Sequence, residues 1–287
     1  MCDKSNADMG IYSEQEKAAS SSLLSTGADL CKTYLSPWMT VLLNLFLPMY
    51  CRQCGERLLT KENNFFCPNC WEGALKIERP FCSHCGKPHQ KIVGLGSLSN
   101  FLCTACRDKP YKYIDRVWGA VHYGGVVSEA IKLFKFQAKI SLAEVLGGLM
   151  VEFAEKEMIP ESYDCIIPVP LYKTRKRERG FNQAELLAEV LIRDFFVHAV
   201  LDHTSLKRIR PTHTQSHLSK EKRAKNVRGA FACTGDSLKG KRVLLIDDVI
   251  TTGGTVSECA RSLRLAEVLK VDAFAIALPF QAPRYDL

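Results

Sequence analysis

Four Cys-x-x-Cys pairs, Cys51/Cys54, Cys67/Cys70, Cys82/Cys85 and Cys103/Cys106, crowd into one stretch with many turn-formers and little hydrophobic periodicity. A segment of that kind has no apolar core to fold around, so it folds around metal. Each pair forms a tight knuckle with two thiolates on one side, which are two corners of a tetrahedral Zn²⁺ site, and a second knuckle supplies the other two. Eight thiols therefore make two closed structural sites. A redox dithiol would instead have to open a helix in a βαβ unit, and the sequence shows none there. An internal repeat, CRQCG with FFCPNC and then CSHCG with FLCTAC, favours pairing within each copy, although an interleaved arrangement stays open. The first knuckle of each copy carries a glycine, Gly55 or Gly86, where the chain has to turn with positive φ. With both tetrahedra complete, His84 and His89 are expected to be surface histidines.

The 287 residues, 46% apolar and 24% charged, suit an ordinary globular chain of more than one domain. Residues 1–36, rich in Ser and Ala, are expected to be a disordered or loosely helical extension without the pattern of a secretory signal. Residues 37–50 read as a short apolar helix, too short and too proline-interrupted to span a membrane. The cysteine module then covers 51–112 and an α/β domain covers 113–287. Most of the thirteen cysteines sit in metal-binding pairs, which places the chain in a reducing, cytoplasmic compartment rather than among secreted disulfide scaffolds. Cys2, Cys31, Cys165, Cys233 and Cys259 are left as ordinary thiols. Between Leu171 and Arg228 fourteen Lys and Arg face six Asp and Glu, an excess equal to the +8 net charge of the whole chain. Charge clustered in this way points to an anionic ligand, a polyphosphate or nucleic acid.

Beyond the cysteines, strand patterns at Val117–Tyr123, Cys165–Val169, Val243–Ile246 and Val271–Leu278 alternate with helical ones at Val126–Phe136, Leu142–Glu157, Asn182–Phe196 and Ser257–Leu269. That alternation predicts a parallel sheet. The segment VLLIDDVITTGGT, Val243–Thr255, carries most of the functional information. A buried strand delivers Asp247 and Asp248 to its C-terminal end, where open α/β sheets bind ligands. Thr251, Thr252 and Thr255 offer hydroxyls, Gly253 and Gly254 allow close backbone approach, and the following helix N-terminus favours a phosphate. The two acids suit vicinal ribose hydroxyls and Mg²⁺, held directly or through water. No Gly-Lys-Ser/Thr follows, which excludes a Walker A loop.

At every position this segment resembles the 5-phosphoribosyl-1-pyrophosphate (PRPP) signature of type I phosphoribosyltransferases. Over Cys51–Pro279 the chain resembles the ComF family, the competence protein F relatives of those enzymes, through the Cys pairs, IPVPLYKTRKRERGFNQAELLA and THTQSHLSKEKRAKNVRGAF. The resemblance implies a Rossmann-like phosphoribosyltransferase domain after a double zinc ribbon. It also implies a pyrophosphate loop at Pro168–Lys173, with Lys173, Arg175, Arg177 and Arg179 reaching the diphosphate. A mobile lid over Thr212–Phe231 would bring Gln215, Lys220, Arg223, Asn226 and Arg228 onto it, the alternative being a solvated hairpin. Lys132 and Lys135 belong to the same family pattern, lining the site or standing on an exposed helix face. The expected activity is Mg²⁺-assisted transfer of a phosphoribosyl group from PRPP, with Asp247 and Asp248 as the catalytic acids, in a setting of DNA uptake and natural transformation. The rival is a non-catalytic module that binds single-stranded DNA or a translocation partner and uses PRPP or a nucleotide phosphate as effector. A structural adaptor with a vestigial site comes third.

Overall fold

The structure is a computed structural model describing residues 48–58, 65–89, 101–211 and 226–279. Two units divide the chain, one ending at Cys70 and one beginning at Trp71. In the first, β1 (Met49–Tyr50) pairs antiparallel with β2 (Arg57–Leu58) across the Cys51–Cys54 turn. Cys67 immediately precedes the short helix α1 (Pro68–Glu72), which runs across the division. Met49 and Tyr50, at the end of the stretch expected to be helical, are thus extended; the rest of that stretch lies outside the described residues.

In the second unit a short helix, α2 (Thr104–Asp108), leads into β3 (Arg116–His122), α3 (Gly125–Phe136) and α4 (Leu142–Glu157). Then follow β4 (Cys165–Pro168), α5 (Lys173–Arg179), α6 (Gln183–Asp194), β5 (Val200–Leu201) and β6 (Leu206–Arg208). β7 (Phe231–Cys233), β8 (Arg242–Val249), α7 (Gly254–Leu265) and β9 (Lys270–Leu278) close the order. Five strands form one parallel sheet in the order β3-β9-β8-β4-β5. β8 lies in its middle, and its run of Val243, Leu244, Leu245 and Ile246 is wholly buried, as a parallel strand covered on both faces requires.

The connection after β4 runs outward to β5, and the one after β8 runs the opposite way to β9. Right-handed crossovers in opposite directions place their helices on opposite faces of the sheet. Accordingly α6 packs on β4 and β8, with α4 beside it over β3 and β9, whereas α7 packs on β9 and against β6 and β7. Leu146 and Met150 of α4 and Leu187 and Leu191 of α6 are buried at helical spacing, which fixes their inward faces. The neighbouring strands β4 and β8 thereby flank a topological switch point, and the crevice outside their C-terminal ends is where such sheets bind ligands.

The second cysteine cluster is tied to this sheet. The backbone N–H of Ile77 donates to Ala120 O at 2.9 Å, and Val117 N–H donates to His84 O at 2.7 Å, so the chain ahead of the cluster runs along the open edge of β3. Polar pairs tie together the N-terminal ends of the strands. Trp118 donates to Tyr163 and Tyr163 to Asp272, and Arg242 binds Asp164 at 2.6 Å, which holds the Asp164 carboxyl at about 2.

Candidate functional site

The eight paired cysteines collect into two clusters, Cys51, Cys54, Cys67 and Cys70 and then Cys82, Cys85, Cys103 and Cys106, with the sulfurs of each within 4.8 Å of one another. Pairing is therefore sequential, as the repeat suggested. Gly55 and Gly86 take φ of 77° and 70° and make the knuckle turns. Four thiols at these separations fit one tetrahedral Zn²⁺ each. Each cluster also contains a sulfur prepared for negative charge. Burial raises the Cys51 and Cys82 thiols, but backbone N–H groups, including Cys67 N to Cys51 and Cys103 N to Cys82, each at 3.3 Å, outweigh it and bring them to about 6 and about 7. His84 is not a free surface histidine. Half-buried, it donates through Nδ1 to Asp115 O at 2.9 Å and accepts the Tyr111 N–H on Nε2 at 2.8 Å. His89 stacks on Phe101 with ring centroids 3.8 Å apart.

At the switch point β8 delivers Asp247 and Asp248 as the sequence implies. Their side chains alternate across the strand, yet both reach a cavity of about 510 Å³ outside β4 and β8. Asp248 is paired with Lys135 from the last turn of α3 at 2.7 Å, so Lys135 lines the site rather than standing on an exposed face. Lys132 is engaged elsewhere, with Glu129 at 2.6 Å. Burial, and then the adjacent Asp248 charge, push the Asp247 carboxyl up to about 7. The pair is thus differentiated: one acid held against a cation, the other poised near neutrality.

The opposite wall is the segment after β4. Its leading residues, Val169–Tyr172, are a loop, but Lys173–Arg179 is helical, and that helix sorts its cations. Arg175 and Arg179, one turn apart, line the cavity; Lys173 and Arg177 do not. Burial pulls the Arg179 pKa down while the Asp247 and Asp248 charges oppose it, and its guanidinium donates to Gln183 at 2.8 Å. Asn182 caps α6 by accepting the Ala184 N–H and donates to Val169 O, which fixes the start of that helix against the loop. Arg208 of β6 also lines the cavity, a contribution that nothing in its sequence context singled out.

The Thr-Gly loop turns at Gly253, whose φ of +74° is a left-handed conformation that favours glycine. A Cβ there would lie 2.4 Å from the Tyr111 ring. Thr255 faces the cavity of the acid pair, whereas Thr251, Thr252 and Gly254 line a second cavity of about 830 Å³ on the side of the Cys82–Cys106 cluster. Of the expected lid residues, Gln215, Lys220 and Arg223 lie outside the described residues. The backbone carbonyls of Asn226 and Arg228 both accept from the Arg210 side chain, at 3.1 and 2.6 Å, beyond the β6–β7 pair.

A parallel α/β sheet with its acid pair and phosphate-type loop at the switch point, in a chain that also carries two four-cysteine clusters, places the chain in the type I phosphoribosyltransferase fold class with a zinc-ribbon module. The double zinc ribbon domain family matches residues 42–107. Over 237 residues the chain is 31% identical to competence protein F of Haemophilus influenzae, covering 81% of this chain and 98% of that one. It is 32% identical over 193 residues to the DNA utilization protein YhgH of Escherichia coli K12, covering 66% and 80%. Among solved structures, glutamine phosphoribosylpyrophosphate (PRPP) amidotransferase from B. subtilis is similar over 46% of this chain and 26% of its own, at 19% identity and a TM-score of 0.32. The chain belongs to the competence protein F family. Among the described residues no helix is long and apolar enough to cross a membrane.

Proposed function

We propose that this chain binds PRPP in the cavity at the switch point and transfers its phosphoribosyl group to a nitrogen nucleophile. The observation that carries this reading is the meeting of the Asp247–Asp248 pair, Thr255 and the Arg175–Arg179 face in one cavity. The two acids accept the ribose hydroxyls, the Thr-Gly loop takes the 5′-phosphate, and the arginines face the diphosphate. In the reaction the C1′–nitrogen bond forms as the C1′–oxygen bond to diphosphate breaks. Arg175, Arg179 and Arg208 stabilise the charge that gathers on the leaving group, and their positions are fixed before reaction. Asp247, near neutrality, takes the proton released by the nucleophile. Mg²⁺, if bound, would be held by Asp247 and Asp248, directly or through water, and would supply further counter-charge for the leaving group. Zn²⁺ in the two cysteine clusters is structural.

A second reading gains support from the names of the relatives, which concern competence and DNA utilization. In it the chain is a single-stranded DNA or partner-binding module of DNA uptake, and the phosphoribosyl site receives an effector. Diphosphate release from PRPP across a panel of nucleobases separates the two. Release that is lost in Asp247→Asn/Asp248→Asn supports transfer. No release with any base, together with DNA affinity that falls steeply with salt, supports the binding module.

A further inference from the structure

The segment between the second cysteine cluster and β3, residues 111–115, is held from two sides. On one side stands His84, in the knuckle between Cys82 and Cys85. Its ring spans the segment, with Nε2 accepting the Tyr111 N–H at 2.8 Å and Nδ1 donating to Asp115 O at 2.9 Å. A neutral imidazole has one acceptor and one donor nitrogen, and both are used here. The His84 carbonyl also accepts the Val117 N–H at 2.7 Å, so the same knuckle is bonded to β3. A bound ion fixes the four sulfurs of this cluster, which lie within 4.8 Å of one another, and with them the knuckle that carries His84.

On the other side stands the phosphate loop with the helix it opens. The Asp115 carboxylate accepts from Arg264 of α7 and, at 2.8 Å, from the Val271 N–H of β9. The Tyr111 ring fills the space over Gly253 where a side chain would stand, since a Cβ there would fall 2.4 Å from it. The same residue packs on Cys82, Cys85 and Cys106. In a close-packed interior a ring so placed cannot shift without the loop shifting too. Neither His84 nor Tyr111 lines the cavity of the acid pair, so both act on it only through the loop.

We infer that Tyr111, held by His84, is a positioning residue that links the second cysteine cluster to the phosphate loop, so that Zn²⁺ in the cluster and PRPP at the loop are bound cooperatively. This rests on the reading of the loop as a phosphoribosyl site. Such coupling is reciprocal: the factor by which zinc raises PRPP affinity is the factor by which PRPP raises zinc affinity. Removal of that one ion therefore turns the ligand site down.

The test uses full-length Cys54→Ser protein, whose remaining ion is the one in the second cluster. Its zinc affinity is measured by competition with a chromogenic chelator, in excess Mg²⁺, without and with saturating PRPP. About tenfold tighter zinc binding with PRPP is expected, within the usual range of coupling between two sites. In the same background Tyr111→Phe, which keeps the ring, should retain the factor, and Tyr111→Ala should bring it near one while PRPP still binds. A factor of one in Cys54→Ser, a factor that Tyr111→Phe abolishes, or one that Tyr111→Ala leaves unmoved overturns the inference; the last would mark ordinary stabilisation by a ligand. If Tyr111→Ala does not fold or does not bind PRPP, His84→Phe decides. A factor near one there, or a folded, zinc-loaded protein that no longer binds PRPP, supports the link, because His84 lines neither cavity beside the loop; an unchanged factor refutes it. If the unaltered protein binds no PRPP, the phosphoribosyl reading itself is wrong, whereas PRPP binding without an effect on zinc refutes only the link.

Discussion

Asp247→Asn should stabilise the ligand-free protein above neutral pH while weakening its ligand site. In the native chain, burial and the Asp248 charge bring the Asp247 carboxyl to about 7, against about 3.9 in an unfolded chain. Between those values the folded state binds the extra proton, so the stability contributed by protonation is complete below about pH 4 and is lost as pH rises through about 7. Three pKa units correspond to about 4 kcal/mol. Water at the partly exposed carboxylate and adjustment of Lys135 lower this to about 2 kcal/mol, or about 4–8 °C in Tm for a domain of this size. Thermal melts of both proteins from pH 4 to pH 8.5, without ligand, measure it. The variant's Tm should draw level with the native one at the acid end and exceed it by that margin above pH 7, while its affinity for PRPP falls. Parallel curves across the whole range would show that Asp247 titrates normally and would remove the argument for its role as proton acceptor.

Lys135→Met leaves Asp248 without the cation 2.7 Å away, and should cost about 1–3 kcal/mol, as denaturant titrations would show. Gly253→Ala forces a Cβ to 2.4 Å from Tyr111 at a φ of +74°; a loss of about 1–3 kcal/mol with PRPP binding reduced is expected from melts and calorimetry. Elemental analysis should give about two zinc ions per chain, and Cys54→Ser or Cys106→Ser about one. Because the Cys82–Cys106 cluster supports Tyr111 against the phosphate loop, Cys106→Ser should also weaken PRPP binding.

The chemistry confined to contiguous residues was legible in the sequence. Val243–Ile246 could only be a buried strand, and the acids and Thr-Gly loop that follow it must stand at its C-terminal end. The knuckle glycines and the repeat likewise identified the cysteine pairing. What a single sequence could not supply was the direction of side chains on elements far apart in the chain. Lys173, Arg175, Arg177 and Arg179 were equal candidates until the segment proved helical, when one face, Arg175 and Arg179, met the cavity. Lys135 and Arg208 reach the site from α3 and β6 by tertiary packing alone. Tyr111 carries no motif, and its role depends on contact with a glycine far along the chain.

Calorimetric titration of PRPP into the zinc-loaded protein, with and without Mg²⁺ and beside the Asp247→Asn/Asp248→Asn variant, tests the central claim most directly. One site per chain, strengthened by Mg²⁺ and weakened at least about tenfold in the variant, is the expected result, since each lost charge-assisted contact is worth about 1.5–3 kcal/mol. No heat from the unaltered protein, or equal binding by the variant, would contradict it.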